Sequence, residues 1–447
     1  MSGSKTVARE KIQDKLKFVQ DSIGEQTSGY YNSTPIIETN RAAVEIRDFL
    51  LISALTGKNL MMSSSSGTGK TTLSRAFGKG IFDDDVGFVQ IDPSLDENKF
   101  RDIMFGNIKR GDNLSGAVSA RHAITAPIVV LDEFNRAPAI LVSKVQNYLT
   151  NGILTFEGGK QMVPGVQLPG GGQYQWKVAT INEGSDYAGT NAMDRASVDR
   201  FGAVLILDMF PPSDNDKRLI IQNGAFRVSG TPIDPDRVKE LKENFFALYT
   251  EARRIEVDPI ATEFLLALSN KDQCYKSPEG TKASLDSMNY SELCRGCGAA
   301  AVYKNVCGAI SAPSIRAIED LKDLSKTYVL VTRGDGDRAK MRVGIDDVLA
   351  VSNFALLKKM KIDESWVSAN ASNSSPYAVS IAMKELYTRF VDSMKKLHTI
   401  MRKESDGVEL SVDDRRKLGD AIRCDPSFRP RGDIIEFQQQ MASNTNQ

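Results

Sequence analysis

The stretch MetMetSerSerSerSerGlyThrGlyLysThrThr, residues 61–72, decides how this chain folds. An apolar run of strand length, AsnLeuMetMet at 59–62, leads into it, and ThrThrLeuSerArgAlaPhe after it has helical character. Strand, glycine-containing turn and helix in that order are what the phosphate-binding pattern G-x-x-x-x-G-K-[ST] requires. The match fails only at its first position, where Ser64 stands in place of glycine. In such a loop successive backbone N–H groups and the positive end of the helix face an anion, a lysine reaches the terminal phosphates and a hydroxyl binds Mg²⁺. Ser66, Gly67, Thr68, Gly69, Lys70, Thr71 and Thr72 are the nucleotide-binding candidates, with Thr71 also the metal-binding hydroxyl. A serine forced to positive φ would cost about 1 kcal/mol, and in an ordinary conformation nothing.

Outward from this loop, further apolar runs read as strands: GlyPheValGlnIle at 87–91, ProIleValValLeu at 127–131, TrpLysValAlaThrIle at 176–181 and ValLeuIleLeu at 204–207. Continuous apolar runs fit a parallel sheet covered on both faces. The fold class is therefore α/β, a doubly wound parallel sheet, followed by helices. Pro211-Pro212 closes the sheet domain, since neither residue continues a ladder or a helix interior. Spacings of three and four predict helices over 9–23, 36–56, 235–252, 258–269, 313–330, 345–361 and 376–403. The organisation expected is an N-terminal helix and linker (1–34), an α/β core (35–210), a helical lid (211–361) with an insertion at 271–307, and a helical extension with a loose tail (362–447).

The run AlaProIleValValLeuAspGluPheAsnArgAlaPro, 126–138, delivers two adjacent carboxylates to a strand's C-terminal end, where ligands of such sheets bind. Asp132 is the candidate to hold Mg²⁺ through water, and Glu133 to polarise an attacking water. With 57 basic and 57 acidic residues, no global field steers the chain toward nucleic acid or anionic membrane. No apolar run reaches eighteen residues and the first ten residues hold no signal-peptide core, so the chain reads as soluble and cytoplasmic with reduced thiols. Two histidines, His122 and His398, do not support a histidine metal centre or a Ser-His-Asp hydrolase.

ValLeuAspGluPheAsnArgAlaPro, with the helix SerLysValGlnAsnTyrLeuThrAsnGlyIleLeuThrPhe after it, resembles the MoxR branch of the AAA+ ATPases. AlaThrIleAsn at 179–182 and TyrAlaGlyThrAsnAlaMetAspArgAlaSerValAspArgPhe at 187–201 are similar to the sensor 1 and arginine-finger region of the CbbQ, NorQ and GvpN relatives. The resemblance spans about residues 35–361. It implies ATP as substrate with Mg²⁺, Asn182 as sensor 1, Arg200 as the arginine finger with Arg195 as a second candidate, and Arg316 in SerAlaProSerIleArg as sensor 2. It further implies a homo-oligomer, a hexameric ring beside a protein partner carrying a von Willebrand factor A domain; the lack of a long apolar run, not the resemblance, gives the expectation of no membrane.

Residues 102–118 read as a hairpin with GlyAsp at its tip, and 152–175 as another; the resemblance sets them at the ring's channel, where Lys109 and Arg110 would contact a substrate, while a solvated tip fits equally. Cys274, Cys294, Cys297 and Cys307 lie in the insertion, and CysArgGlyCysGly has the turn of a zinc knuckle, so a structural zinc site stands beside buried free cysteines as the alternative. Cys424 stands apart and is expected to pack. The expected function is Mg²⁺-dependent ATP hydrolysis that remodels a protein partner. Two alternatives remain: an McrB-like nucleic-acid motor or restriction subunit, and a slow nucleotide-gated assembly factor.

Overall fold

The computed structural model describes residues 3–104, 123–155, 161–168, 170–183, 193–223, 232–269, 310–334, 341–372, 374, 376–388, 399, 403 and 408–414. It divides into two compact units, one of residues 1–256 with 323–342, the other of 257–322 with 343–447. The four insertion cysteines, Cys424, both histidines, Lys109 and Arg110 lie outside the described residues.

In the first unit, α1 (Gly3–Gln26) precedes a hairpin of β1 (Ile37–Glu38) and β2 (Ala43–Val44), then α2 (Ile46–Thr56) and β3 (Leu60–Ser64). There follow α3 (Lys70–Phe82), β4 (Val86–Gln90), α4 (Glu97–Met104), β5 (Ile128–Asp132) and α5 (Ala139–Asn151). Short strands β6 (Leu154–Thr155), β7 (Gln161–Met162), β8 (Val166–Gln167) and β9 (Gln173–Tyr174) lead to β10 (Trp176–Asn182). The run closes with α6 (Arg195–Val198), β11 (Ala203–Ile206), α7 (Asp214–Asn223) and α8 (Pro235–Arg253).

Five strands form one parallel sheet in the order β11-β3-β10-β5-β4. The five apolar runs are its strands, and all seven residues of β10 are buried at its centre. Phe77 of α3 meets Trp176 edge to face at 5.5 Å. The unit continues past Pro211-Pro212 to Glu256 because α8 carries aromatic side chains back onto it. Phe245 lies 5.2 Å from Phe82 and 5.5 Å from Tyr174, all in edge-on geometry that favours ring pairs. Helix α1 packs on both α8 and α3, and lies so close to α3 that a Cβ on Gly80 would stand 2.8 Å from the Ile23 Cα, while the Ser22 hydroxyl donates to the Gly80 carbonyl at 2.7 Å.

Four expectations are corrected. The helix expected from residue 36 begins at Ile46, because Thr39 Oγ1 accepts from the Ala42 and Arg41 amides and closes the β1–β2 hairpin. The single hairpin at 152–175 is two pairs, β6–β7 and β8–β9, separated where Pro164 and Gly165, at φ +110°, break the extended chain. Residues 102–104 finish helix α4 instead of opening a hairpin. The helix expected to reach residue 361 stops at Leu356, just before Lys358 turns to φ +61°.

The second unit is helical in its described parts: Pro259–Ser269, the opening part of Ile315–Arg333, Ile345–Leu356, Glu364–Ala371 and residues 376–388. Its interior holds an ion pair, Lys359 Nζ to Asp320 Oδ2 at 2.9 Å, with both side chains all but inaccessible. Among the described residues no helix is long and apolar enough to cross a membrane.

Candidate functional site

The sheet order builds the site. β10 lies between β3 and β5, so the ends of three strands stand side by side: Ser64 pairs with Asn182 in register, and Leu131 with Ala179. The glycine-containing loop after β3, Asp132-Glu133 and Asn182 thereby converge at one edge.

Ser64 is the last residue of β3, fully buried, and has no positive φ. The turn is made by Gly67 at φ +80° and Gly69 at φ +83°, a conformation that glycine adopts without steric cost. The serine hydroxyl instead accepts from Lys70 Nζ at 2.8 Å and bonds the Thr68 hydroxyl. Lys70 Nζ also donates to the Ser64 and Ser65 carbonyls at 2.9 and 2.8 Å. Burial pulls the Lys70 ammonium below the usual lysine value, and the Asp208, Asp132 and Glu133 carboxylates oppose that pull. Helix α3 starts at Lys70, so its amide end faces the loop.

Asp132 is held from two sides. Thr71 Oγ1 of α3 donates to Asp132 Oδ1 at 2.6 Å, and Thr180 Oγ1 of β10 donates to the same oxygen at 2.5 Å. Thr180 Oγ1 in turn accepts from the Glu133 amide at 3.1 Å. Glu133 sits in the left-handed region at φ +54°, ψ +41°, an uncommon conformation for a non-glycine residue, and it turns the chain out of β5. Its carboxylate has three neighbours: Asn182 Nδ2 at 3.3 Å on Oε1, and Gln90 Nε2 at 3.1 Å and Arg136 Nη1 at 3.3 Å on Oε2. Asn135 Nδ2 donates to the Asn182 carbonyl at 2.7 Å, tying the turn after Glu133 to the end of β10.

A hydroxyl and a carboxylate oxygen meeting at 2.6 Å form a hard-oxygen donor set of the kind Mg²⁺ takes. The glycine turn, the α3 amide end and a buried lysine form an anion cradle. These residues fit a magnesium nucleotide.

Arg200 is placed away from this cluster. Its guanidinium lies on α5, where Nη1 donates to Thr150 Oγ1 and Nη2 to Gln146 Oε1 at 3.1 Å, while its buried Nε has no partner among the described residues. Phe201 beside it packs on Phe134 with centroids 6.0 Å apart. Arg195 is exposed in the first turn of α6. Arg316 is exposed on a helix of the second unit. The sequence reading missed Thr180, Gln90, Asn135 and Arg136, although all four stand inside or beside its quoted motifs. It also missed Asp208, which accepts from the Ser65 amide and hydroxyl at 2.8 Å each and anchors the start of the loop. A lone aspartate after a strand carries no local signal of that contact.

Residues 59–201 match the model of the AAA domain (dynein-related subfamily). No curated protein matches the chain. A solved structure described as a "putative ATPase" from Cytophaga hutchinsonii is similar over 85% of this chain and 97% of its own, with a TM-score of 0.56 and 16% sequence identity. The chain therefore has the α/β fold of the AAA+ proteins, built around a stretch that matches the dynein-related AAA domain.

Proposed function

We propose that the chain is an Mg²⁺-dependent ATPase of MoxR type that works as a ring and uses hydrolysis to remodel a protein partner. The observation that carries the nucleotide reading is the shared grip on Asp132: Thr71 from the loop helix and Thr180 from the central strand hold one oxygen, with Glu133 next in the chain and Asn182 on its carboxylate. Thr71 and Asp132 would hold Mg²⁺, which when bound offsets phosphate charge. Lys70 and the loop amides bind and orient the terminal phosphates. Glu133 accepts the proton of the attacking water, and Asn182 keeps that carboxylate in place.

The MoxR assignment, the ring and the partner are supported by the motifs at 126–138 and 179–201. The role of Arg200 toward a neighbouring subunit rests on its AspArgPhe motif, since within this chain its guanidinium is bonded to Thr150 and Gln146 of α5 and not to the Glu133 cluster. Phosphate release by the purified chain with ATP or GTP, with and without DNA and EDTA, tests the reading. ATP turnover that EDTA abolishes and DNA does not stimulate is expected. Lys70→Ala should lose nucleotide binding, whereas Glu133→Gln should bind ATP, turn over at least about a hundredfold more slowly and capture the partner. An unchanged rate in Glu133→Gln would refute the assignment.

A further inference from the structure

The first unit holds a cleft of about 1300 Å³ whose lining includes none of the nucleotide-site residues. One wall is α8; the other comes from α1 at Ile12 and Lys15 and from the turn at Leu168, Gly170 and Gly171. Along α8 the lining residues Lys239, Lys242, Phe246, Thr250 and Arg253 recur at spacings of three and four, which sets them on one helix face. Val238 and Phe246 are half-buried and supply an apolar floor.

Charge distinguishes this cleft in a chain whose basic and acidic residues balance. Lys15, Lys239, Lys242, Arg253 and Arg254 line it against only Glu243 and Glu251. Lys242 is engaged by Asp85 at 3.1 Å, Arg254 by Glu251 at 2.6 Å, and Arg253 lies over the Tyr249 ring at 4.1 Å. Lys15 and Lys239, on opposite walls, have no ion-pair or hydrogen-bond partner among the described residues. Five basic against two acidic lining residues, with Lys15 and Lys239 not engaged in ion pairs among the described residues, favour an anionic occupant.

We propose that this cleft receives an acidic segment of a partner protein, with an apolar side chain seated on Val238 and Phe246 and carboxylates opposite Lys15 and Lys239. The cavity exceeds the roughly 300–1,000 Å³ of small-ligand pockets. The lining residues of α8 run from Pro235 to Arg253, about 27 Å at 1.5 Å per residue, a length suited to a peptide segment. A nucleic acid fits less well. Glu243 and Glu251 on the same wall would face a continuous phosphate backbone, whereas a peptide can set uncharged residues opposite them.

The test measures fluorescence anisotropy of the full chain with a fluorescein-labelled peptide of alternating Glu and Leu, about twelve residues long, at low and high salt. A Lys/Leu peptide and a labelled single-stranded oligonucleotide serve as competing probes. The double variant Lys15→Glu/Lys239→Glu reports on the cleft, while its ATP turnover and thermal melt confirm that the fold and nucleotide site are intact. Expected are salt-sensitive binding of the Glu/Leu peptide and a loss of at least about tenfold in affinity in the double variant, with ATP turnover unchanged. No binding of the Glu/Leu peptide, equal or stronger binding of either competing probe, or undiminished binding in the double variant would overturn the proposal. ATP turnover is read separately, so failure of the nucleotide reading leaves this result interpretable.

Discussion

Thr180→Val removes one hydroxyl from the centre of the site while keeping the side chain's shape. Thr180 is 1% exposed, donates to Asp132 Oδ1 at 2.5 Å and accepts from the Glu133 amide at 3.1 Å. A hydrogen bond to a charged acceptor contributes about 1.5–3 kcal/mol, and a stranded buried donor costs about 1–3 kcal/mol. Asp132 keeps Thr71 and some contact with water, so the two effects do not sum in full. A loss of about 2–4 kcal/mol is expected, tolerable within the ~5–15 kcal/mol of an ordinary domain. Turnover should fall about tenfold to a hundredfold, as when a residue supporting a metal ligand is removed, because Asp132 loses one of its two fixing hydroxyls and Glu133 loses its backbone tether. Urea unfolding followed by fluorescence measures the first effect and phosphate release the second, with Thr180→Ser expected to recover most of both. If Thr180→Val matches the parent in unfolding midpoint and in turnover, the reasoning that β10 positions the carboxylates is wrong.

Burial lowers the Lys177 ammonium to about 8, with the Tyr148 ring face 4.6 Å away as its cation–π partner. The unfolded chain then holds more protons than the folded one from about pH 8 to the ordinary lysine value near 10.5, so stability rises with pH across that window and the burial cost is full below it. Lys177→Met should therefore be more stable than the parent at pH 7 by about 1–3 kcal/mol, the ring face offsetting part of the cost, with the gap closing toward pH 10.5; an equal gap at both pH values in urea unfolding contradicts this. In the second unit, Asp320→Ala leaves buried Lys359 without its carboxylate and should cost about 3–5 kcal/mol, whereas Asp320→Leu with Lys359→Met should recover most of it in thermal melts. Gly80→Ala should destabilise by about 1–3 kcal/mol despite alanine's better helix propensity, since its Cβ meets the Ile23 backbone at 2.8 Å; a raised melting temperature would show that α1 yields. Ser64→Gly removes one of three Lys70 contacts and should leave nucleotide affinity within about threefold by titration calorimetry.

The sequence by itself determined the sheet strands and which polar residues stand at their ends. A continuous apolar run such as ProIleValValLeu at 127–131 can only be a buried strand or buried helix, and the glycine before lysine that follows the run at 59–62 selects the strand there. Lys70, Thr71, Asp132, Glu133 and Asn182 were legible because each sits within a few residues of such a strand end. The β1–β2 hairpin was hidden, because Ala43, Ile46 and Leu50 keep helical spacing while the Thr39 turn that breaks it is a side-chain contact. Ser64 illustrates the same limit: its identity raised a question of strain, and only its place in β3 shows that the glycines after it make the turn.

What the tertiary structure decided is which strand ends are neighbours. Residues near 64, 132 and 182 are far apart in the chain, and no local pattern states that β10 is inserted between β3 and β5. That order brings Thr180 against Asp132, Asn182 and Gln90 against Glu133, and leaves Arg200 on α5. Propensity and periodicity act over a few residues, whereas strand order is set by the burial of both sheet faces at once, a property of the whole packed unit.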